Sequence, residues 1–592
     1  MCLMYVESIN DGYGPSGVAV YSMRDMNKNQ MLLDSSLRAS RGEMHRMVLF
    51  ATAVEAENCG KLRRPERTTS IHQSASMNDL QLFSSIKDLL ERTLKAPFAE
   101  NDSIRDCDPS LLSLLRVSPE VAREHAYEQL YAVAYKDVAE CWRRLYTESS
   151  MWIALDMVEE VVERIEQERI KHDSVEGSVA QELGKIVEEL DRAVIMTGAP
   201  VRRHKIEEIF GKLSYLQLCR NENLGIYRCE DGTLDEHEGR RRKLSSTPEA
   251  NHPSPEIELE IPHSYPSIQV PDPPLRFTFR RMHNLSLEEF QSQLELDHKN
   301  NRQSGSLPFI ITHAIDDWPA FHDNPWRNPR YLLSKTLGGR RLVPIEIGQS
   351  YTDSDWSQKI ITMKEFMMTY MLQRANAGSD SSQRLPDTKP SDKHKAKLQT
   401  GYLAQHDLLT QIPTLATDIR IPDYCYSTPP TPKPPSSNAE NSDEVSDSDT
   451  IMVNTWLGPA HTKTPLHTDP HHNILAQVVG RKYVRLYAPS ESVRMYPRGW
   501  DGEWGVDMGN TSCVDLEEVM GFVGYEGDGD GDGDGGERQR RKIEFLERFP
   551  DFLEAEYVEG VLGEGECLFI PRGWWHYVRS LSASFSVSFW WD

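Results

Sequence analysis

His467 and Asp469 stand two residues apart in the stretch Asn454-Thr-Trp-Leu-Gly-Pro-Ala-His-Thr-Lys-Thr-Pro-Leu-His467-Thr-Asp469-Pro-His-His-Asn473. Side chains two apart on a strand face the same way, so this imidazole and this carboxylate can enter one cavity. A third ligand is offered by His576, in Gly565-Glu-Cys-Leu-Phe-Ile-Pro-Arg-Gly-Trp-Trp-His576. There an apolar strand is expected to end at Pro571 and a short turn to present the imidazole. Two histidines and one carboxylate on one face of an octahedral ion leave three positions open, which is the arrangement of non-haem Fe(II) oxygenases. An H-x-D pair alone occurs by chance in many chains; this one gains weight from His576 behind an apolar strand and from its neighbours. His471 and His472 are read as surface or supporting residues.

Lys482 follows His467 by fifteen residues, in Gly480-Arg-Lys-Tyr, at the entry to the apolar run Tyr483–Tyr487. By itself it reads as an exposed lysine at the start of a strand. Beside an iron site that works with a dicarboxylate, an ammonium group at the base of the pocket would pair with the distal carboxylate. The final run, Ser584-Phe-Ser-Val-Ser-Phe589-Trp-Trp, alternates with period two, placing Phe585, Val587 and Phe589 on one face of a sheet and the serines on the other.

These segments lie in the second half of a chain of 592 residues, too long for a single core. Residues 1–77 lack periodicity and read as a mobile tail or a misplaced start. Residues 78–229 form an all-helical domain, with apolar residues three or four apart in the series Tyr127, Leu130, Ala134, Val138, Cys141, Leu145 and in later series as far as Leu216. Residues 230–275 form a linker: Gly239–Lys243 reads as either a nuclear-import signal or solvated charge, and seven prolines from Pro253 to Pro274 exclude continued helix. From 276 to 592, short apolar runs broken by Gly, Pro, Asn and Asp indicate a mainly β domain. Polar loop insertions are expected near 374–397, 428–449 and 524–540; the last contains a Gly-Asp repeat that lacks the bidentate Glu of an EF-hand loop.

The formal net charge of -25 opposes binding to nucleic acid or a membrane surface through a general positive field, and makes a basic protein or peptide the natural partner. Nine scattered cysteines, without a C-x-x-C pair, indicate neither a disulfide framework nor a structural zinc site, and suit a reducing compartment. No apolar run is long enough to span a membrane, and Asn10, Asp11 and Gly12 break up the start, where a signal peptide would be continuous. An intracellular location, nucleus or cytoplasm, is expected.

The H-T-D segment, Gly480-Arg-Lys-Tyr, Pro344-Ile-Glu-Ile-Gly348, Tyr351-Thr-Asp-Ser-Asp-Trp356, Gly401-Tyr-Leu-Ala-Gln-His406, Ile421-Pro-Asp-Tyr-Cys425 and the Ser-Phe-Ser-Val-Ser-Phe-Trp-Trp ending together resemble the JmjC family of oxygenases. The likeness covers roughly 276–592, with a weaker match at Tyr135–Tyr146 in the helical region. It implies an α+β multidomain chain, an N-terminal helical domain followed by a double-stranded β-helix of the jelly-roll or cupin type. By resemblance, His467, Asp469 and His576 bind Fe(II), Tyr351, Thr464, Asn473 and Lys482 hold 2-oxoglutarate, and O2 is the second co-substrate. Trp456 and Trp590 match aromatic positions around the substrate and co-substrate pockets; each also reads as a packing residue.

The resemblance favours hydroxylation of arginine side chains in a histone or other arginine-containing protein. N-methyl-lysine demethylation is the same chemistry on a different carbon, and no Cys/His cluster for a chromatin-reading finger accompanies it. A catalytically silent binding module is the contrasting class; such modules lose an iron ligand or the co-substrate lysine, and here all are present. A monomer is expected, because the chain stops at its last strand.

Overall fold

Apolar stripes at helical spacing bury a face of the longer helices, and that burial shapes the first half of the chain. In the computed structural model the described residues are 69–133, 137–171, 176–223, 261–268, 270–300, 306–348, 350–352, 356–372, 400–430, 451–501, 506–522 and 535–592. Helices α1 (Thr69–Leu94), α2 (Pro109–Leu114), α3 (Pro119–Ala132), α4 (Glu140–Lys171), α5 (Glu176–Thr197) and α6 (Arg203–Asn223) make up the N-terminal part. The stripes form its core: Leu130, Val138, Cys141, Leu145, Val161, Ile165, Leu183, Ile186, Leu190, Ile206, Ile209 and Leu213 are buried. Helix α1 begins at Thr69, ahead of the expected 78. Propagating a helix adds a backbone hydrogen bond per residue and needs no apolar stripe, which is why periodicity misses such a start. Residues 1–68, the Gly239–Lys243 run and the Gly-Asp repeat lie outside the described residues, and the described residues of 261–275 contain neither helix nor strand.

The second half is a two-sheet β-helix. Strands β1 (Arg280–His283), β2 (Phe309–Thr312), β3 (Leu342–Ile347), β4 (Ser357–Thr362), β5 (Gly401–His406), β6 (Met452–Gly458), β7 (Lys463–Thr468), β8 (His472–Val479), β9 (Lys482–Tyr487), β10 (Trp500–Asp501), β11 (Val506–Asp507), β12 (Tyr557–Leu562), β13 (Glu566–Ile570), β14 (Trp575–Ser580) and β15 (Ser584–Trp591) follow in order. The nine-stranded sheet runs β1-β2-β13-β8-β15-β6-β5-β3-β4, the four-stranded sheet β12-β9-β14-β7, and β10 and β11 form a hairpin. All pairings except β1 with β2 are antiparallel.

Strand β15 shows how this half solves its packing. Phe585 stacks on Trp326 at 4.3 Å and Phe589 meets Trp318 at 6.0 Å, so the apolar face packs under the flanking segments. The serine face is buried too: Ser586 donates to Gln477 Oε1, and Ser588 accepts from Trp456 Nε1. The barrel interior is thus polar, as a site for a charged ligand requires.

Of the expected insertions, 374–397, 431–449 and 524–534 lie outside the described residues. The end of the third is the helix Gly535–Arg548 and not a loop, because Phe545 one face down enters the core beside Phe549 and Phe552. Among the described residues no helix is long and apolar enough to cross a membrane.

Candidate active site

His467 sits near the end of β7 and His576 near the start of β14; the two are register partners across these antiparallel strands. The second imidazole is therefore presented by a strand, not by the turn after Pro571: the turn reverses the chain and β14 begins at Trp575. The rings lie 4.1 Å apart between centroids. Asp469, just beyond β7, reaches both: Oδ1 is 3.6 Å from His467 Nε2, and Oδ2 is 3.4 Å from His576 Nε2. All three side chains are buried, and their ligand atoms lie within 4.8 Å of one another.

The two tautomers follow from the backbone. His467 Nδ1 lies 2.8 Å from Pro465 O and His576 Nδ1 3.0 Å from Trp574 O. A carbonyl only accepts, so each Nδ1 carries the proton and each Nε2 turns a lone pair to the common centre. Burial pushes His467 down to about 4, with His576 adding to the shift. For His576, the Asp469 carboxylate outweighs burial and raises it by favouring the ring with both nitrogens protonated, Nε2–H donating to Asp469; a bound cation would take the place of that second proton. Burial would raise Asp469, but His576 and His467 together hold its carboxyl below the ordinary range. Asp469 Oδ1 and Asn473 Oδ1 are buried with no hydrogen-bond partner among the described residues. A paired imidazole set around a carboxylate with an unsatisfied buried oxygen fits a divalent ion of the Fe(II) type.

Lys482 opens β9 inside the barrel, 2% exposed. Its ammonium is 3.3 Å from the Tyr402 hydroxyl, and burial pushes it down to about 7. The turn that delivers it depends on Gly480: φ is +75°, and a Cβ there would lie 1.9 Å from Ala583 O. Tyr402 is also hydrogen-bonded to Thr464. An ammonium, a phenol and a hydroxyl converging in a buried place fit a carboxylate.

A pocket that shares Tyr402 with this group is lined by Glu346, Tyr351, Gln405, Trp456, Thr464 and His467. Thr464 and Lys482 both lie beside the Tyr402 hydroxyl. Tyr351 lies on another wall: its hydroxyl pairs with Thr511 and faces Asp469 and Glu346, and the phenol beside Lys482 belongs to Tyr402. Asn473 is buried on β8 next to β15. Trp456 lines the pocket, whereas Trp590 packs on His471, which pairs with Asp592. His472 accepts from the Arg572 backbone N–H.

Two pocket residues escaped the reading of single residues. Tyr402 lies in Gly401–His406 and Glu346 in the apolar run of β3, where Val343, Ile345 and Ile347 are buried. The lone carboxylate on the opposite face of that run is the available signal. Burial pushes Glu346 up to about 7, against a hydrogen bond from Trp356 Nε1.

Comparison with known proteins agrees with this geometry. Residues 297–592 match the family described as a cupin-like domain. The chain is similar to the lysine-specific demethylase 8 of Danio rerio, 32% identical over 478 residues that cover 79% of this chain and 86% of that protein. It is similar also to the protein of the same name in Xenopus tropicalis, 30% identical over 80% of this chain and 88% of the relative. The Jumonji C domain-containing protein 5 of Drosophila melanogaster is 34% identical over 52% of this chain and 58% of its own length. From its two-sheet barrel, its His-Asp-His cluster and these likenesses, the chain belongs to the JmjC branch of the cupin-like family, the 2-oxoglutarate-dependent oxygenases.

Proposed function

We propose that the protein hydroxylates arginine side chains of protein substrates, with His467, Asp469 and His576 holding Fe(II) and with Lys482, Tyr402, Thr464 and Asn473 receiving 2-oxoglutarate. Bound iron, 2-oxoglutarate and O2 supply the oxidising chemistry: one oxygen atom enters a substrate C–H bond, the other goes into succinate, and CO2 leaves. The chain's residues bind and orient. Lys482 pairs with the distal carboxylate, Asp469 and the two Nε2 lone pairs fix the ion, and the buried surroundings exclude water from the reacting centre.

The observation that carries the choice of substrate is Glu346. A carboxylate on the pocket wall, with the Trp456 and Tyr351 rings nearby on the lining, suits a flat cation with several N–H donors. A guanidinium can use both carboxylate oxygens and lie on an aromatic face, whereas a fully methylated ammonium has no N–H to give. The second reading, N-methyl-lysine demethylation, is favoured by the names of the relatives. Mass spectrometry of arginine-containing and methyl-lysine peptides incubated with enzyme, Fe(II) and 2-oxoglutarate separates the two. A gain of one oxygen on arginine is the expected result; loss of methyl groups with formaldehyde release would replace it with the second reading.

A further inference from the structure

Asp191, on α5, is fully buried against the barrel, and among the described residues its carboxylate accepts from Arg341, Leu342 and Gln411, all in the barrel half of the chain. Arg341 grips it with Nε and Nη2, both at 2.9 Å; the Leu342 backbone N–H donates at 2.7 Å, and Gln411 Nε2 at 2.9 Å. The Arg341 guanidinium lies 4.0 Å from the ring of Phe210 on α6, so the helical part holds this arginine from two sides. Arg341 Nη2 donates in turn to Gln411 O.

Gln411 passes the constraint on. Its amide nitrogen donates to both Asp191 and Leu342 O, at 2.9 and 2.8 Å, which fixes the amide's orientation. Its oxygen then faces His406 Nε2 at 2.6 Å, and since an amide oxygen only accepts, that nitrogen carries the proton. The His406 carbonyl accepts from Thr455 Oγ1 on β6 at 2.8 Å. Next to this anchored histidine, within β5, lies Gln405, a non-glycine residue with φ +48°, at the irregularity where β5 pairs with β6. Left-handed backbone at such a residue persists only where its surroundings impose it. Gln405 and its neighbour Ala404 line the pocket.

The second arm of the clamp is β3. Leu342, held by Asp191, begins the strand that carries Glu346, about 13 Å further on at ~3.3 Å per residue. Glu346 is register partner of Tyr402 on β5. One carboxylate of the helical part therefore holds β3 directly, through Leu342, and β5 indirectly, through Gln411 and His406, and these two strands bring Glu346, Ala404 and Gln405 to the pocket, while β7 and β14 belong to the other sheet.

We infer that Asp191 and Gln411 are positioning residues: through the Asp191–Gln411–His406 relay the helical part sets the β5 bulge and hence the register in which the substrate side chain meets the metal. The claim that this matters for substrate rests on the oxygenase reading above; the mechanical link does not. The variants Asp191→Asn and Gln411→Leu are compared with wild type as full-length protein; the second keeps the Arg341–Asp191 pair and so guards against simple loss of folding. Hydrogen exchange tests the link: faster exchange over 401–406, with 463–469 unchanged, is expected, and no local change in either variant overturns the inference. Kinetics tests its consequence: KM for an oxygenated peptide rises fivefold or more, succinate formed per oxygenated peptide rises severalfold, and succinate formation without peptide stays at the wild-type rate. A purely structural role would lower the amount of active enzyme and leave KM and that ratio untouched, and this result overturns the inference. If wild type oxygenates no peptide, the function fails; a changed exchange pattern would then leave the link standing and remove its catalytic meaning.

Discussion

At the scale of single residues, the proposed function rests on two charged side chains in the barrel, buried Lys482 and half-buried Glu346. Lys482 has lost its hydration without gaining a carboxylate partner among the described residues, and burial lowers its pKa to about 7. Its folded value lies below the ordinary one, so protonation costs stability: that cost is present below pH 7 and disappears as pH rises towards 10.5. Wild type should gain stability relative to Lys482→Met over that window, as followed by chemical denaturation. A bound dicarboxylate restores the charged form, so binding of 2-oxoglutarate near pH 8 should take up a proton, visible in calorimetry as a dependence of heat on the buffer. The same substitution should weaken 2-oxoglutarate by roughly 2 kcal/mol or more, about 30-fold in Kd. Glu346 behaves oppositely. Burial raises it to about 7, so its charge and its attraction for a basic side chain appear as pH climbs through that value. kcat/KM for a basic peptide should rise across pH 6 to 8 in wild type, and Glu346→Gln should flatten that limb; an unchanged slope would remove Glu346 from substrate binding. His467 and Asp469 were legible from their spacing on a strand, and His576 and Lys482 from their places beside apolar strands once read together with that pair. Glu346 and Tyr402 were not, since each acquires its meaning from partners on other strands.

At the scale of elements, strand periodicity carried far. Alternation in β15 put Phe585, Val587 and Phe589 on one face, and the structure packs that face on Trp318 and Trp326. Alternation says nothing of what lies opposite, and the serine face turned out to be buried as well, bonded to Gln477 and Trp456. His576 was expected on a turn because Pro-Arg-Gly ends a strand; the register that matches it to His467 depends on pairing with β7, which local sequence does not contain. The helix at Gly535–Arg548 follows a Gly-Asp repeat whose composition suggests loop, and the apolar contacts of Phe545 decide otherwise. Gly480 gives this scale its prediction. With φ +75° and the Ala583 carbonyl in the place of a Cβ, Gly480→Ala must displace the turn before Lys482. The variant should lose about 2 kcal/mol of stability by denaturant titration and bind 2-oxoglutarate less tightly; a loss of stability with unaltered affinity would separate the turn from the site.

At the scale of the whole molecule, the helical part and the barrel share a buried contact in which Asp191 and Arg341 meet across 150 residues of sequence. Both parts were readable from periodicity, but a contact at that separation was not, and so the sequence offered no role for the helices. A buried ion pair of this kind adds little net stability relative to apolar packing, while breaking it leaves a charge uncompensated, so its value lies in fixing one arrangement of the two parts. By the inferred Asp191–Gln411–His406 relay, that arrangement would serve the proposed reaction in the barrel. The most direct measurement is mass spectrometry of an arginine-containing peptide after turnover with Fe(II), 2-oxoglutarate and isotopically labelled dioxygen, for wild type and for His467→Ala. One labelled oxygen atom on the peptide with wild type, and none with the variant, is the predicted result; peptide oxygenation at equal rates in both, or succinate formed equally by both with the peptide untouched, would contradict it.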